Sequence, residues 1–203
     1  MNVHLTRLIA MLLISLAAPT LRAGETRPSA HPAYPMLDGR CGDVAALGEA
    51  HALPYGLTLH IFQDAGYVWL CVPLDGNDYG VLDMYLEAPN LPAPLNLHVS
   101  AQLGEWRADQ PDSAPKTANS SKWWEIGGWL SNPLRFNGMI EDGSRPNFRQ
   151  NPGREVQLSK THFGQGTWKI QLKLTAIAAA EGQPVLFPPD KDGTRQTLSL
   201  KVD

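Results

Sequence analysis

Short segments in which hydrophobic and polar residues alternate recur along the chain from residue 57 onward. The clearest one, at residues 95–103, has leucine, valine and alanine on one side and polar residues on the other: Asn96, His98, Ser100 and Gln102. Because successive side chains of a strand point to opposite faces, this pattern predicts a strand with one buried and one polar face. The same pattern predicts strands at residues 57–62, 67–74, 81–87, 156–158, 168–174 and 197–202.

Turn-forming sequences rich in glycine, proline and aspartate separate these segments, at residues 64–66, 75–80, 89–94 and 190–193. The chain contains 18 glycines and 17 prolines, which disfavour helix interiors, and only residues 174–181 resemble a helix. We therefore predict an all-β fold, a single antiparallel β-sandwich domain of jelly-roll or immunoglobulin-like type over residues 53–203. A β-barrel stays open as an alternative, because the number of strands does not distinguish the two.

The first 23 residues have the composition of a secretory signal peptide. Arg7 precedes an uncharged apolar run at residues 8–18, and the small residue Ala23 suits signal peptidase. The run is too short to span a bilayer. We therefore predict cleavage after Ala23 and a secreted or periplasmic protein with no membrane span in the mature chain. Residues 24–52 are predicted to be an extended leader, and the overlapping segment 39–53 to form a helical turn or nothing regular.

The charge of the mature chain limits its possible partners. Removal of Arg7 and Arg22 with the signal peptide leaves 15 of the 17 lysines and arginines against 20 aspartates and glutamates, a net charge of −5. The remaining basic residues are scattered. Nucleic acids and anionic membrane surfaces both require clustered lysine and arginine, so neither is an expected partner.

The two cysteines, Cys41 and Cys71, are predicted to form a disulfide. An even pair in an exported protein indicates an oxidised bridge first. A metal ligand or catalytic thiol is the alternative, but the chain has no CxxC motif and no Cys-His pair at ligand spacing.

Sequence motifs of catalysis are absent, which favours a protein that is not an enzyme. The chain contains no GxSxG, P-loop, GxGxxG or HExxH motif. Glu105 and Glu125 are the only carboxylates near tryptophans that suit a test as acid or base. A glycan-active hydrolase therefore stays as the least supported alternative.

No cofactor is expected. His98 and Asp83 lie on the polar faces of consecutive predicted strands and can meet, but two ligands are fewer than a zinc site needs. The acidic turn with Asp75, Asn77 and Asp78 resembles a calcium loop, although Leu86 stands where an EF-hand has its glutamate. We interpret it as a plain turn that could hold weak structural calcium.

Four segments resemble the family 9 carbohydrate-binding-module-like superfamily, which is related to DOMON domains. They are YVWLCV at 67–72, VLDMYL at 81–86, EVQLSK at 155–160 and GTWKIQL at 166–172. The resemblance covers residues 57–174 and implies a β-sandwich that binds carbohydrate. The chain departs from the family at Lys173 and Leu174, where the family often has arginine, and it lacks the CxxCH motif of cytochrome-like members.

Aromatic residues concentrate in one part of the chain, at Trp106, Trp123, Trp124, Trp129 and Phe136. Flat aromatic faces can stack on the apolar C–H faces of sugar rings. We predict a non-catalytic protein that binds an oligo- or polysaccharide, with these ligand-binding residues: Trp123, Trp124 and Trp129 for stacking, and Asp83, His98, Gln102 and Glu105 for hydrogen bonds. The alternatives are that the tryptophans fill the core, as expected for Trp69 and Trp168, or that the loop docks an envelope protein.

Overall fold

The computed structural model describes residues 34–76 and 78–203. The predicted signal peptide and residues 24–33 of the predicted leader therefore lie outside the described residues. The strands, in chain order, are β1 Glu49–Ala52, β2 Thr58–Gln63, β3 Tyr67–Pro73, β4 Val81–Glu87, β5 Leu95–Val99, β6 Leu103–Arg107, β7 Trp129–Ser131, β8 Leu134–Met139, β9 Pro146–Gln150, β10 Gly153–Ser159, β11 Gly166–Thr175, β12 Val185–Phe187 and β13 Leu198–Val202. The helices are α1 Gly42–Leu47 and α2 Lys160–Phe163, with 3-10 turns at Pro54–Gly56, Pro111–Ser113 and Ala178–Ala180.

Two antiparallel sheets form the body of the domain. Sheet A has five strands in the order β1-β2-β3-β10-β7. Sheet B has the order β12-β11-β4-β5-β6, and β13 pairs with the first half of β11 on the same edge as β12. Strands β8 and β9 form a separate two-stranded hairpin. The predicted all-β sandwich is confirmed.

The inner faces of the two sheets pack into one hydrophobic core. Sheet A contributes alternate residues such as Leu59, Leu70 and Leu158, and sheet B contributes Leu97 and Trp168, all of them buried. Full burial of each such aliphatic side chain stabilises the fold by roughly 1.5–3 kcal/mol. The alternation in the sequence therefore identified the core face of these strands, and the predicted core position of Trp168 is confirmed. The strand predicted at 95–103 instead ends at Val99, and Ala101, which was expected to face inward, is exposed in the turn before β6.

Strands without hydrophobic alternation were not predicted. Strand β1 is a polar edge strand whose register is set by pairing with β2. Strand β9 is similarly exposed, and within the described part of the chain its one partner strand is β8. The helix-like segment at 174–181 instead ends β11 at Thr175 and continues into the turn Ala178–Ala180, because Leu174 completes the core face of that strand.

The described chain before residue 53 takes part in the sandwich, since β1 is the edge strand of sheet A. Helix α1 packs on the outer face of β2 and β3, where Val44 and Trp69 share a second hydrophobic cluster. The predicted disulfide is present there: Cys41 and Cys71 are bridged with a Cα–Cα distance of 5.4 Å. A loop of this length contributes about 3–4 kcal/mol on the chain-entropy model.

The described residues contain no helix that is long and apolar enough to cross a membrane.

Candidate functional site

The outer face of sheet B carries a row of side chains that crosses four adjacent strands. Trp106 of β6 is paired with Asn96 of β5, Asn96 with Tyr85 of β4, and Tyr85 with Gln171 of β11. Three inter-strand spacings of about 4.8 Å make this row about 14 Å long. On β5, β4 and β11 the row follows from alternation, since Asn96, Tyr85 and Gln171 each lie between two buried core residues.

A second row lies beside the first and consists of Gly104, His98, Asp83 and Lys173. His98 and Asp83, which the sequence pattern allowed to meet, are in contact: His98 Nδ1 lies 2.7 Å from Asp83 Oδ1. The same carboxylate oxygen accepts a 3.4 Å hydrogen bond from Asn96. Asp83 is therefore fixed by side chains from β5 and points along the polar face.

Two irregular segments flank these rows and form the sides of a groove. Ala108 and Pro111 stand on the β6 side, and the segment after β11 contributes Pro184, Asp190 and Arg195 on the other. Together with the rows they enclose an open groove of about 530 Å³. This volume lies within the range of about 300–1,000 Å³ that is typical of small-ligand sites.

Gln171 fixes the wall that contains Asp190 and Arg195. Its side chain is only 6% exposed. Its amide donates to Asp190 Oδ1 at 2.7 Å and to the Pro188 carbonyl at 2.9 Å, and its oxygen accepts from Arg195 Nε at 3.1 Å. Because every polar atom of this amide is engaged, the positions of Asp190 and Arg195 are set before any ligand binds.

Arg195 also stacks on Tyr85. The guanidinium carbon lies 4.1 Å from the centre of the tyrosine ring, in cation–π contact. Burial and the neighbouring Glu87, which accepts a hydrogen bond from the phenol, raise the pKa of Tyr85. The phenol therefore stays protonated and neutral, and Trp106 is left as the aromatic surface of the groove.

Trp123 closes the β6 end of the second row instead of lining the groove. Its ring lies on Gly104, where a Cβ atom would come within 2.7 Å of it, and its centroid is 5.3 Å from that of His98. Its Nε1 donates to the Thr117 carbonyl, and Gln102 Nε2 donates to the Ala118 carbonyl. Trp123 and Gln102 therefore hold the loop after β6 against the sheet.

Trp124 and Trp129 have different environments. Trp124 is 56% exposed and does not line the groove, whereas Trp129 is 3% exposed and packs in the core. This burial corrects the expectation that Trp129 offers a stacking surface. The reason is that β7 pairs with β10 and turns the Trp129 ring into the sandwich.

Glu105 also differs from the expectation. It is paired with Leu97, which faces the core, so it lies on the opposite side of β6 from Trp106. Its Oε2 accepts hydrogen bonds from Trp129 Nε1 at 2.8 Å and from the Gly127 amide at 3.0 Å. Glu105 therefore anchors β7 and its preceding turn and does not reach the groove.

The acidic turn after β3 has its carboxylates engaged in the fold. Asp78 Oδ2 accepts from the Asp75 amide, and Asp78 Oδ1 accepts from the Ala178 amide at 2.6 Å. Asn77 lies outside the described residues. Within residues 34–76 and 78–203, no three His, Cys, Asp or Glu side chains form a group that could hold a metal ion.

Two buried ionisable residues lie on sheet A, away from the groove. Arg154 donates to the carbonyls of Gly80 and Tyr79 and to Gln150, which fixes the turn after β3 to β10. Glu155 is 1% exposed and is paired with Cys71 on the outer face. Burial lowers the pKa of Arg154 to about 10 and raises the pKa of Glu155 to about 8.

The groove is lined by residues that were not among the predicted ligand-binding residues, namely Tyr85, Asn96, Gln171, Lys173, Asp190 and Arg195, and by Trp106 of the aromatic group. Tyr85 and Asn96 carry a signal in the sequence, because they share the polar face with Asp83 and His98. Gln171 and Arg195 carry none, since only strand pairing and the return of the chain after β12 bring them to this face.

Comparison of the chain with protein-family models, with curated proteins and with solved structures finds no match.

Proposed function

We propose that this protein binds a carbohydrate, without cleaving it, in the groove on the outer face of sheet B. The observation that carries the proposal is the row from Trp106 to Gln171, which combines an indole surface with amide and phenol groups on paired strands and lies beside the carboxylate of Asp83. Sugars present both apolar C–H faces and hydroxyl groups, so this combination suits them. The bridged cysteines and the signal-like N-terminus support a secreted or periplasmic location.

Binding without cleavage is favoured by the state of the groove's carboxylates. Asp83 accepts hydrogen bonds from His98 and Asn96, and Asp190 accepts one from Gln171. Glycoside hydrolysis needs two carboxylates that face the scissile bond from opposite sides, one of them available as an acid. Carboxylates that are already held by neighbouring side chains serve better as fixed hydrogen-bond acceptors for sugar hydroxyls.

The Trp106→Ala variant should bind a glycan identified on an array about 5- to 30-fold more weakly, which corresponds to a loss of about 1–2 kcal/mol of stacking. Isothermal titration measures the affinity, and thermal unfolding checks that the sandwich is intact. Trp124→Ala is the matched control, because Trp124 is exposed but lies outside the groove. Unchanged affinity in Trp106→Ala, or an equal loss in the control, would contradict the proposal.

A second candidate function, the docking of an envelope protein, is favoured by the β8–β9 hairpin. This hairpin stands apart from both sheets and exposes Phe136, Met139 and Phe148. Phe136 and Phe148 pack edge to face with ring centroids 6.2 Å apart, which presents one aromatic surface to solvent. Exposed aromatic clusters are typical of protein interaction sites.

The double variant Phe136→Ser/Phe148→Ser should test this candidate without unfolding the sandwich, since both rings lie outside the core. We expect cross-linking in a periplasmic extract to capture a partner with the natural protein and with Trp106→Ala, but not with the double variant. Equal capture by the natural protein and the double variant would exclude the hairpin as the docking surface.

A further inference from the structure

The groove contains two cationic side chains, one on β11 and one on the segment that returns after β12. Lys173 and Arg195 both line it, and neither forms an ion pair with a carboxylate in the part of the chain that the structure describes. Lys173 is paired in register with Asp83, yet that carboxylate bonds to His98 instead. The ammonium group of Lys173 is therefore directed by the strand to the polar face and is open to solvent.

Arg195 is held in place through its Nε and its guanidinium plane, and its Nη groups are further hydrogen-bond donors. Its Nε is engaged by Gln171, and its guanidinium plane lies on the Tyr85 ring. Among the described residues, the guanidinium also interacts with the Tyr85 phenol, and no carboxylate forms an ion pair with its two Nη groups. They form the end of the guanidinium fork, which matches the two oxygens of a carboxylate or of a sulfate in spacing and planarity. Fixing the arginine beforehand reduces the conformational entropy that binding would cost.

The groove's two carboxylates, by contrast, already accept hydrogen bonds from the protein. Asp83 is held by His98 and Asn96, and Asp190 is held by Gln171. A neutral sugar could bond to all four charged residues but would leave the two cations without a counter-charge. An acidic group placed between Lys173 and Arg195 would supply it, and charge-assisted hydrogen bonds are about twice as strong as neutral ones.

We propose that the groove selects an acidic carbohydrate, whose carboxylate or sulfate group binds between Lys173 and Arg195; this inference rests on the proposed carbohydrate-binding function. Trp106, at the far end of the first row, would stack on a neighbouring sugar ring. The site thus divides into an aromatic end on β6 and a cationic end on β11 and its return segment. The preference for acidic over neutral carbohydrates comes from the cationic end.

The test is a glycan array that carries neutral oligosaccharides, oligouronates, the methyl esters of the same oligouronates, and sulfated oligosaccharides. We expect oligouronates or sulfated sugars to bind, and the bound acid to exceed its neutral counterpart by roughly 10- to 100-fold in affinity. The excess should shrink as salt is raised, because exposed charges are screened. The uronate and sulfate arms show which of the two acidic groups is recognised.

The double variant Lys173→Gln/Arg195→Gln should lose this excess and bind the methyl ester as the natural protein does. The control Lys201→Gln/Arg149→Gln changes the net charge equally, at exposed positions outside the groove, and should keep the excess. Equal binding of uronate and ester, or an equal loss in the control, would overturn acidic selectivity while carbohydrate binding stands. Binding of no glycan on the array would contradict the proposed function itself.

Discussion

Replacing Glu155 by glutamine is expected to remove the loss of stability that this carboxyl causes between pH 4.5 and pH 8. The pKa of Glu155 rises from 4.5 to about 8 because the carboxyl is buried and because Asp43 and Asp38 lie near it. In this window the unfolded chain releases the proton and the folded chain keeps it, so the free energy of unfolding falls as pH rises.

The size of this effect is on the order of 3 kcal/mol between pH 5 and pH 8, since one pKa unit corresponds to about 1.4 kcal/mol. Glutamine cannot ionise, and it can still accept the hydrogen bond that Glu155 Oε2 receives from the Gly39 amide at 2.8 Å. Its amide nitrogen would take the place of Oε1, which is buried without a partner, so a small loss is expected at pH 5.

Urea unfolding at pH 5, 6.5 and 8 measures the effect. Glu49→Gln is the matched control, because Glu49 is exposed on the edge strand β1. The stability difference between the natural protein and Glu155→Gln should change steadily with pH, whereas the control should follow the natural protein. Parallel curves for all three proteins would contradict the assignment of the proton to Glu155.

Replacing Arg154 by methionine should destabilise the protein by about 2–5 kcal/mol, because each buried acceptor left without its donor costs about 1–3 kcal/mol. Arg154 is fully buried, and its guanidinium satisfies carbonyl groups of the turn after β3, at Tyr79 and Gly80. Methionine fills a similar volume but donates no hydrogen bond, so these acceptors lose their partner in the interior.

Denaturant unfolding at pH 7 measures this loss, since a pKa of about 10 keeps Arg154 charged there. Arg149→Met is the control, because Arg149 is an exposed residue of β9. The control should change the free energy of unfolding by less than about 0.5 kcal/mol. If the free energies of unfolding of Arg154→Met and Arg149→Met differ by less than about 0.5 kcal/mol, the guanidinium is not the group that fixes the turn to β10.

Alternation in the sequence predicted some of the residue positions near the groove but not the positions of the tryptophans. The polar positions of β4 and β5 were predicted to share one face, and the meeting of Asp83 and His98 followed from it. The tryptophans were harder, because a tryptophan in a Gly-rich loop has no periodicity to assign it to a face. Trp129 lies in the core and Trp123 lies on Gly104, where two distant segments decide the environment.

By itself, the sequence determined the fold class, the main strands with their inward faces, and the pairing of the two cysteines. Alternation is a local property, and a chain with only two cysteines offers one intramolecular disulfide. Only the tertiary structure decided which polar residues share the groove. Gln171 and Arg195 reach Tyr85 through strand pairing and a return of the chain, and such contacts depend on register across the sheet.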